Sequence, residues 1–190
     1  LTVELTGSSY LFKVLTDLLV RGQIFSLLAS LALVWIIVSL IFRSAAAGGF
    51  SIIPLTLTIV LNFGIMGWLG IPLDTATTML ASMAIGIGVD YSIHFLSRYR
   101  HEVQDTGDFS RAAVNTSHTT GKAIFFNAAA VTMGFIVLLF SSFQPIQTLG
   151  ALTAFTMLTA SAGALTILPA ALSGFRPKFL RNTNHQTQED

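Results

Sequence analysis

Five long apolar runs, set off by short polar interruptions, dominate the chain. They are Ile24–Phe42, ended by Arg43; Phe50–Leu69, ended by Gly70-Ile71-Pro72; Thr75–Ser97; Ala123–Ser141; and Ile146–Leu172. A helix needs about 20 mostly apolar residues to cross the hydrocarbon of a bilayer. The core of a water-soluble domain does not string five such runs together. The pattern predicts an all-α multi-pass membrane protein with five transmembrane helices, spread over residues 24–172. The fifth run is long enough to tilt or to project beyond the bilayer. The first and second, second and third, and fourth and fifth runs are joined by short links, so each of those pairs is antiparallel.

The third link, Arg98–Lys122, is longer. Within it Asp108 has the chemistry of a helix N-cap, and Phe109, Ala112 and Ala113 share a helical face. These signals predict a short interfacial helix near 108–118, with a solvated loop as the alternative. Upstream, Leu11, Val14, Leu15, Leu18 and Leu19 recur at helical spacing and predict a helix leading into the first span. The sequence starts at Leu1 with no basic, apolar and cleavage regions of a signal peptide. Residues 1–23 therefore read as the end of an extracytoplasmic domain plus the lead-in helix, and residues 173–190 as a polar cytoplasmic tail.

Composition agrees with the pattern. Only 10% of the residues are charged and mean hydropathy is +0.72, whereas soluble domains carry about 25% charge. Net charge is +1, and the basic residues are sparse and sit beside apolar segments, which excludes a nucleic-acid footprint. With no cysteine, disulfides and cysteine-ligated metals are excluded. No metal site is predicted. Lysine and arginine set the orientation. Lys13 and Arg21 fall on one side of the five spans, and the other eight of the ten fall on the opposite side. The positive-inside rule makes the second side cytoplasmic, with the N-terminus outside and the C-terminus inside.

Candidate chemistry centres on Asp90, inside the third run. A charged Asp at the middle of a membrane helix costs about 2.5–3.5 kcal/mol on insertion scales. Arg98 is eight residues away, about 12 Å along a helix, too far to neutralise it directly. Thr78, Ser82, Gly86, Asp90 and His94 recur every four residues and form a small or polar stripe that should face protein, not lipid. The fourth run repeats the theme with Ala123, Asn127, Ala130 and Gly134. Gly86, Gly88 and Gly134 are candidate helix-packing positions. Burial in hydrocarbon disfavours the charged form of a carboxyl, so a membrane-embedded acid can load a proton from one side and release it to the other. Tyr91 offers a hydroxyl that both donates and accepts. Asp90 and Tyr91 are the predicted proton relay, with His94, Asn127 and Ser82 as relay or polar support. The alternative is a carboxylate hydrogen-bonded only for packing.

The stretch GIGVDYSIHFLSRYRHE resembles the Gly-x-x-x-Asp-Tyr motif of the resistance–nodulation–division (RND) superfamily, here Gly86-Ile-Gly-Val-Asp90-Tyr91. It is most similar to the lipid-exporting branch, the mycobacterial-membrane-large-protein-like (MMPL) and hopanoid-transporter-like proteins. Weaker matches follow in order: GKAIFFNAAAVTMGF at 121–135 and LTILPAAL at 165–172. The resemblance implies a twelve-span protein in two similar halves, of which these five helices close one half. It implies that Asp90 and Tyr91 carry protons at the contact between halves. The drug-efflux branch typically has a lysine on this helix, and this sequence has none within the third run.

The implied function is the membrane part of a proton-motive-force-driven exporter, an antiporter of lipids or other hydrophobic compounds in the bacterial inner membrane. It is a secondary active transporter and not an enzyme, with protons as the coupling ion and no other cofactor. The implied partners are a hydrophobic or lipid substrate, the surrounding membrane lipids, the first-half helices of the same transporter and further copies of the chain; nucleic acid is not among them. Two other readings stay open: a lipid- or sterol-sensing five-helix module of the Patched kind, and a Sec-accessory-like translocation subunit.

Overall fold

The computed structural model describes residues 8–177 and Leu180. Of the expected extracytoplasmic end (1–23) and cytoplasmic tail (173–190), residues 1–7, 178–179 and 181–190 lie outside the described residues. Five helices account for nearly all of the rest: α1 Ser8–Phe42, α2 Ala45–Leu69, α3 Thr75–Thr106, α4 Phe109–Ile136 and α5 Gln144–Phe175, with a 3-10 turn at Val137–Phe140. Among the described residues there is no strand. All five helices are long and apolar enough to cross a membrane.

Local chemistry explains most of the boundaries. Gly70 ends α2 in the left-handed region (φ +66°), which glycine adopts without strain, and Pro72 follows. Asp74 opens α3 with a capping box: its carboxylate accepts from the Thr77 N–H at 2.8 Å, and the Thr77 hydroxyl accepts from the Asp74 N–H at 2.8 Å. Pro145 lies in the first turn of α5, where its missing N–H costs no hydrogen bond.

The structure departs from the sequence-based elements at two places. The lead-in helix and the first span form one helix, α1, because nothing stronger than Gly22 interrupts the helical pattern. The long link at 98–122 contracts to Gly107-Asp108 between α3 and α4. Asp108 does cap a helix there, accepting from the Ser110 N–H at 2.8 Å. However, the stretch near 108–118 is the start of α4 and not a separate helix. Polarity alone suggested a loop. The polar residues instead pair at helical spacing, Arg98 with Glu102 at 2.6 Å and His101 with Asp105 at 2.9 Å. Gly107, at φ +67°, is the first residue suited to stop the helix.

α5 is the hub. It packs against α2, α3 and α4, and its buried face is rich in small residues: Gly150, Ala154, Ala160, Gly163 and Ala164. Close approach of this kind is how helices associate where lipid supplies no hydrophobic drive. α1 is peripheral, packing on α2 and α3, and turns Phe25, Leu28, Leu40 and other apolar side chains outward, as a lipid-facing helix would.

Where α3 meets α4, one polar clasp holds both. The carboxylate of Glu102, only 8% exposed, accepts from Asn115 Nδ2 at 3.1 Å while paired with Arg98. Next to it the Tyr99 hydroxyl donates to the Phe109 carbonyl at 3.0 Å. Glu102→Ala removes a buried, hydrogen-bonded charge together with its bonds to Asn115 and Arg98. It is expected to cost about 1–3 kcal/mol and to lower the thermal midpoint of the detergent-solubilised protein. Glu102→Gln, which retains an acceptor for Asn115, should lose clearly less.

Candidate functional site

Asp90 lies midway along α3. Its neighbours on the same stripe, Ser82, Gly86 and His94, are exposed as it is. The Asp90 carboxylate has no hydrogen-bond or ion-pair partner among the described residues. On α4 the positions Ala123, Asn127, Ala130 and Gly134 are exposed as well. His94 and Asn127 line one cavity of about 370 Å³ between α3 and α4, together with Tyr91, Thr120, Ala123 and Ile124. The two stripes therefore form one continuous face of the five-helix set, small and polar in an otherwise apolar span. An unpaired carboxylate and an asparagine at that depth are costly against lipid.

Tyr91 is placed differently from its neighbour. Consecutive helical residues point about 100° apart, and Tyr91 turns into the core. It is 2% exposed, with its hydroxyl 3.9 Å from the Met157 sulfur on α5. Asp90 thus faces outward while Tyr91 reaches inward to α5 and borders the α3–α4 cavity. The structure brings Tyr91, His94 and Asn127 around one space, and Asp90 is not among the residues that line it. Ser82 lies two turns away along the stripe.

Of the three predicted packing glycines, Gly88 alone is pinched. A Cβ there would fall 2.6 Å from Leu55 Cδ2 on α2 and 3.6 Å from Ala160 Cβ on α5. Gly86 and Gly134 have nothing within 4 Å of a Cβ position. Their place is the uncovered face, so they do not pack the helices of this chain together.

Further polar residues have clear partners. Asn62 accepts from the Thr156 hydroxyl at 3.0 Å and donates to the Thr58 carbonyl at 3.0 Å. Its amide oxygen joins α2 to α5, a packing role. Thr120 lines the cavity and Asn115 completes the Glu102 clasp. Both depend on which faces of α3 and α4 meet, and no spacing within one helix reveals that.

The profile of the MMPL family matches residues 1–188. The putative membrane protein MJ1562 of Methanocaldococcus jannaschii is 29% identical over 167 residues, 88% of this chain and 43% of its own length. The hopanoid transporter HpnN of Rhodopseudomonas palustris is 30% identical over 146 residues, covering 75% of this chain and 17% of its own length. The trehalose monomycolate exporter MmpL3 of Mycobacterium tuberculosis is 27% identical over 174 residues, 90% of this chain and 18% of its own length. The chain thus spans less than half the length of these relatives, and under a fifth of the two transporters among them.

Proposed function

This chain belongs to the MMPL family, and on that premise we propose that it is the membrane-embedded part of a transporter of lipids or other hydrophobic compounds, driven by a proton gradient. The observation that carries the proposal is Asp90: a carboxylate without a hydrogen-bond or ion-pair partner among the described residues, midway along a helix apolar enough to span the bilayer, on a face of small and polar residues. A helix facing lipid gains nothing from such a residue, whereas a proton carrier requires one. The names of two relatives, a hopanoid transporter and a trehalose monomycolate exporter, support lipids as the substrate class.

In this reading Asp90 is the coupling acid. Tyr91, His94 and Asn127 surround the space through which its proton is exchanged. A second five-helix set of the same transporter covers the exposed Asp90 face and shields it from lipid. Protonation neutralises Asp90, removes the electrostatic cost of closing the face, and lets the two sets change their packing; release restores the charge and reverses the change. That cycle binds and moves its substrate without covalent chemistry. The excess of lysine and arginine at the α3–α4 turn and at the end of α5 supports a cytoplasmic location for that side, in a cytoplasmic membrane.

The test is transport by the intact protein in sealed vesicles, with a fluorescent lipid as the substrate and an imposed pH gradient as the only energy source. Transport is expected to start with the gradient and to stop when a protonophore collapses it. Transport indifferent to the gradient would overturn proton coupling. Lipid binding with no transport under any gradient would favour a lipid-sensing module instead.

A further inference from the structure

Lys122 plays no part in the site above. It lies on α4, thirteen residues after Phe109, about 20 Å along the helix, within a stretch apolar enough to span a membrane. Among the described residues it forms no ion pair, and α5 beside it contains no acidic residue at all. Lys122 and Asn127 are five residues apart, which sets them about 140° apart around the helix. Lys122 therefore faces away from the Asp90 stripe.

On its own face Lys122 borders a groove of about 510 Å³ between α4 and α5, lined by Ser117, Gly121, Phe125, Phe126 and Leu165. The order along the groove is amphipathic. Ser117 and Lys122 lie toward the α3–α4 turn, where Arg98, Arg100 and Arg111 cluster. Phe125 and Phe126, both exposed, lie deeper. Gly121 keeps the floor open: a Cβ there would sit 3.3 Å from Leu165 Cδ2. A lysine at this depth extends its stem along the apolar wall and carries its ammonium toward the headgroup layer. A soluble anion has no use for the aromatic wall, and a neutral lipid has no use for the ammonium. A molecule with an acidic head and an apolar chain uses both.

We propose that the α4–α5 groove binds one anionic phospholipid of the surrounding leaflet, with its phosphate on Lys122 and an acyl chain along Gly121, Phe125 and Leu165. This site is separate from the proton site and does not depend on the transport reading.

The experiment is native mass spectrometry of the delipidated intact protein titrated with phosphatidylglycerol or, as the neutral control, phosphatidylcholine. The first phosphatidylglycerol should bind about fivefold more tightly than phosphatidylcholine, the preference one lysine near a headgroup confers. Lys122→Gln should erase that preference and Lys122→Arg should keep it. Arg111→Gln, which removes an equal charge at the same end but outside the groove, should leave it unchanged. Leu165→Trp fills the groove without altering charge and should weaken the first phosphatidylglycerol even where Lys122→Gln cannot be purified. Equal binding of the two lipids by the unmodified protein would overturn the site. So would an unchanged preference in Lys122→Gln, an undiminished first phosphatidylglycerol in Leu165→Trp, or an equal loss in Arg111→Gln, which would trace the preference to the basic end as a whole.

Discussion

Substitution of Asp90 by asparagine in the intact protein is expected to abolish proton-coupled transport, reducing it to the level of protein-free vesicles, while the protein still inserts and accumulates normally. Asparagine preserves the size of the side chain and removes only titration. Asp90 has no hydrogen-bond or ion-pair partner to lose among the described residues, so the substitution breaks no clasp of the kind Glu102 makes. Discarding a charge from the middle of a membrane span is not expected to harm insertion. The effect should therefore fall on function and spare stability, the reverse of the pattern predicted for Glu102→Ala. Transport and proton flux, measured together at matched protein abundance, decide the question. If both persist, Asp90 is a structural carboxylate and the lipid-sensing reading takes precedence.

A large loss of stability is expected at Gly150. A Cβ there would lie 2.6 Å from Leu138 Cβ and 2.7 Å from the Phe135 carbonyl oxygen. The second contact is with backbone, so rotation of a side chain cannot relieve it. The start of α5 rests directly on the end of α4 and its 3-10 turn, and α5 is the hub on which three other helices pack. Overpacking typically costs about 1–3 kcal/mol, and Gly150→Val should reach the upper end of that range or beyond. The expected result is a sharply lowered thermal midpoint and a reduced monodisperse fraction on size exclusion in detergent. Gly49→Ala is the control. Nothing lies within 4 Å of that position, and alanine is favoured over glycine within a helix by about 1 kcal/mol, so this variant should be neutral or slightly stabilising. Equal behaviour of the two variants would show that the α4–α5 approach at Gly150 contributes nothing to stability.

The two sites contrast in how they could be recognised from sequence. Asp90 stands out because its chemistry contradicts its surroundings, a carboxylate in an apolar run. Gly150 is one of 15 glycines in the chain and differs from Gly49 only in what its backbone touches. Periodicity cannot separate them, because the distinction lies in the distance to a different helix.

By itself the sequence determined the five membrane-crossing helices, the cap at Asp108, the stop at Gly70 and the polar stripe through Asp90. Each follows from interactions within a few residues of chain: apolar length against bilayer thickness, side chains satisfying helix-end N–H groups, and the four-residue repeat of a helical face. The tertiary structure alone decided the rest. It fused the expected interfacial helix into α4, because i,i+4 ion pairs and the Glu102–Asn115 clasp let polar residues continue a helix that polarity had suggested was a loop. It turned Tyr91 inward to Met157 and left Asp90 on the open face, because the 100° step between neighbours acquires a direction only when α3 has been packed against α5. It also sorted three similar glycines into one that touches α2 and α5 and two with nothing within 4 Å of a Cβ position among the described residues. Contacts between helices depend on how faces are matched across many residues of separation, and no local pattern in the chain encodes that match.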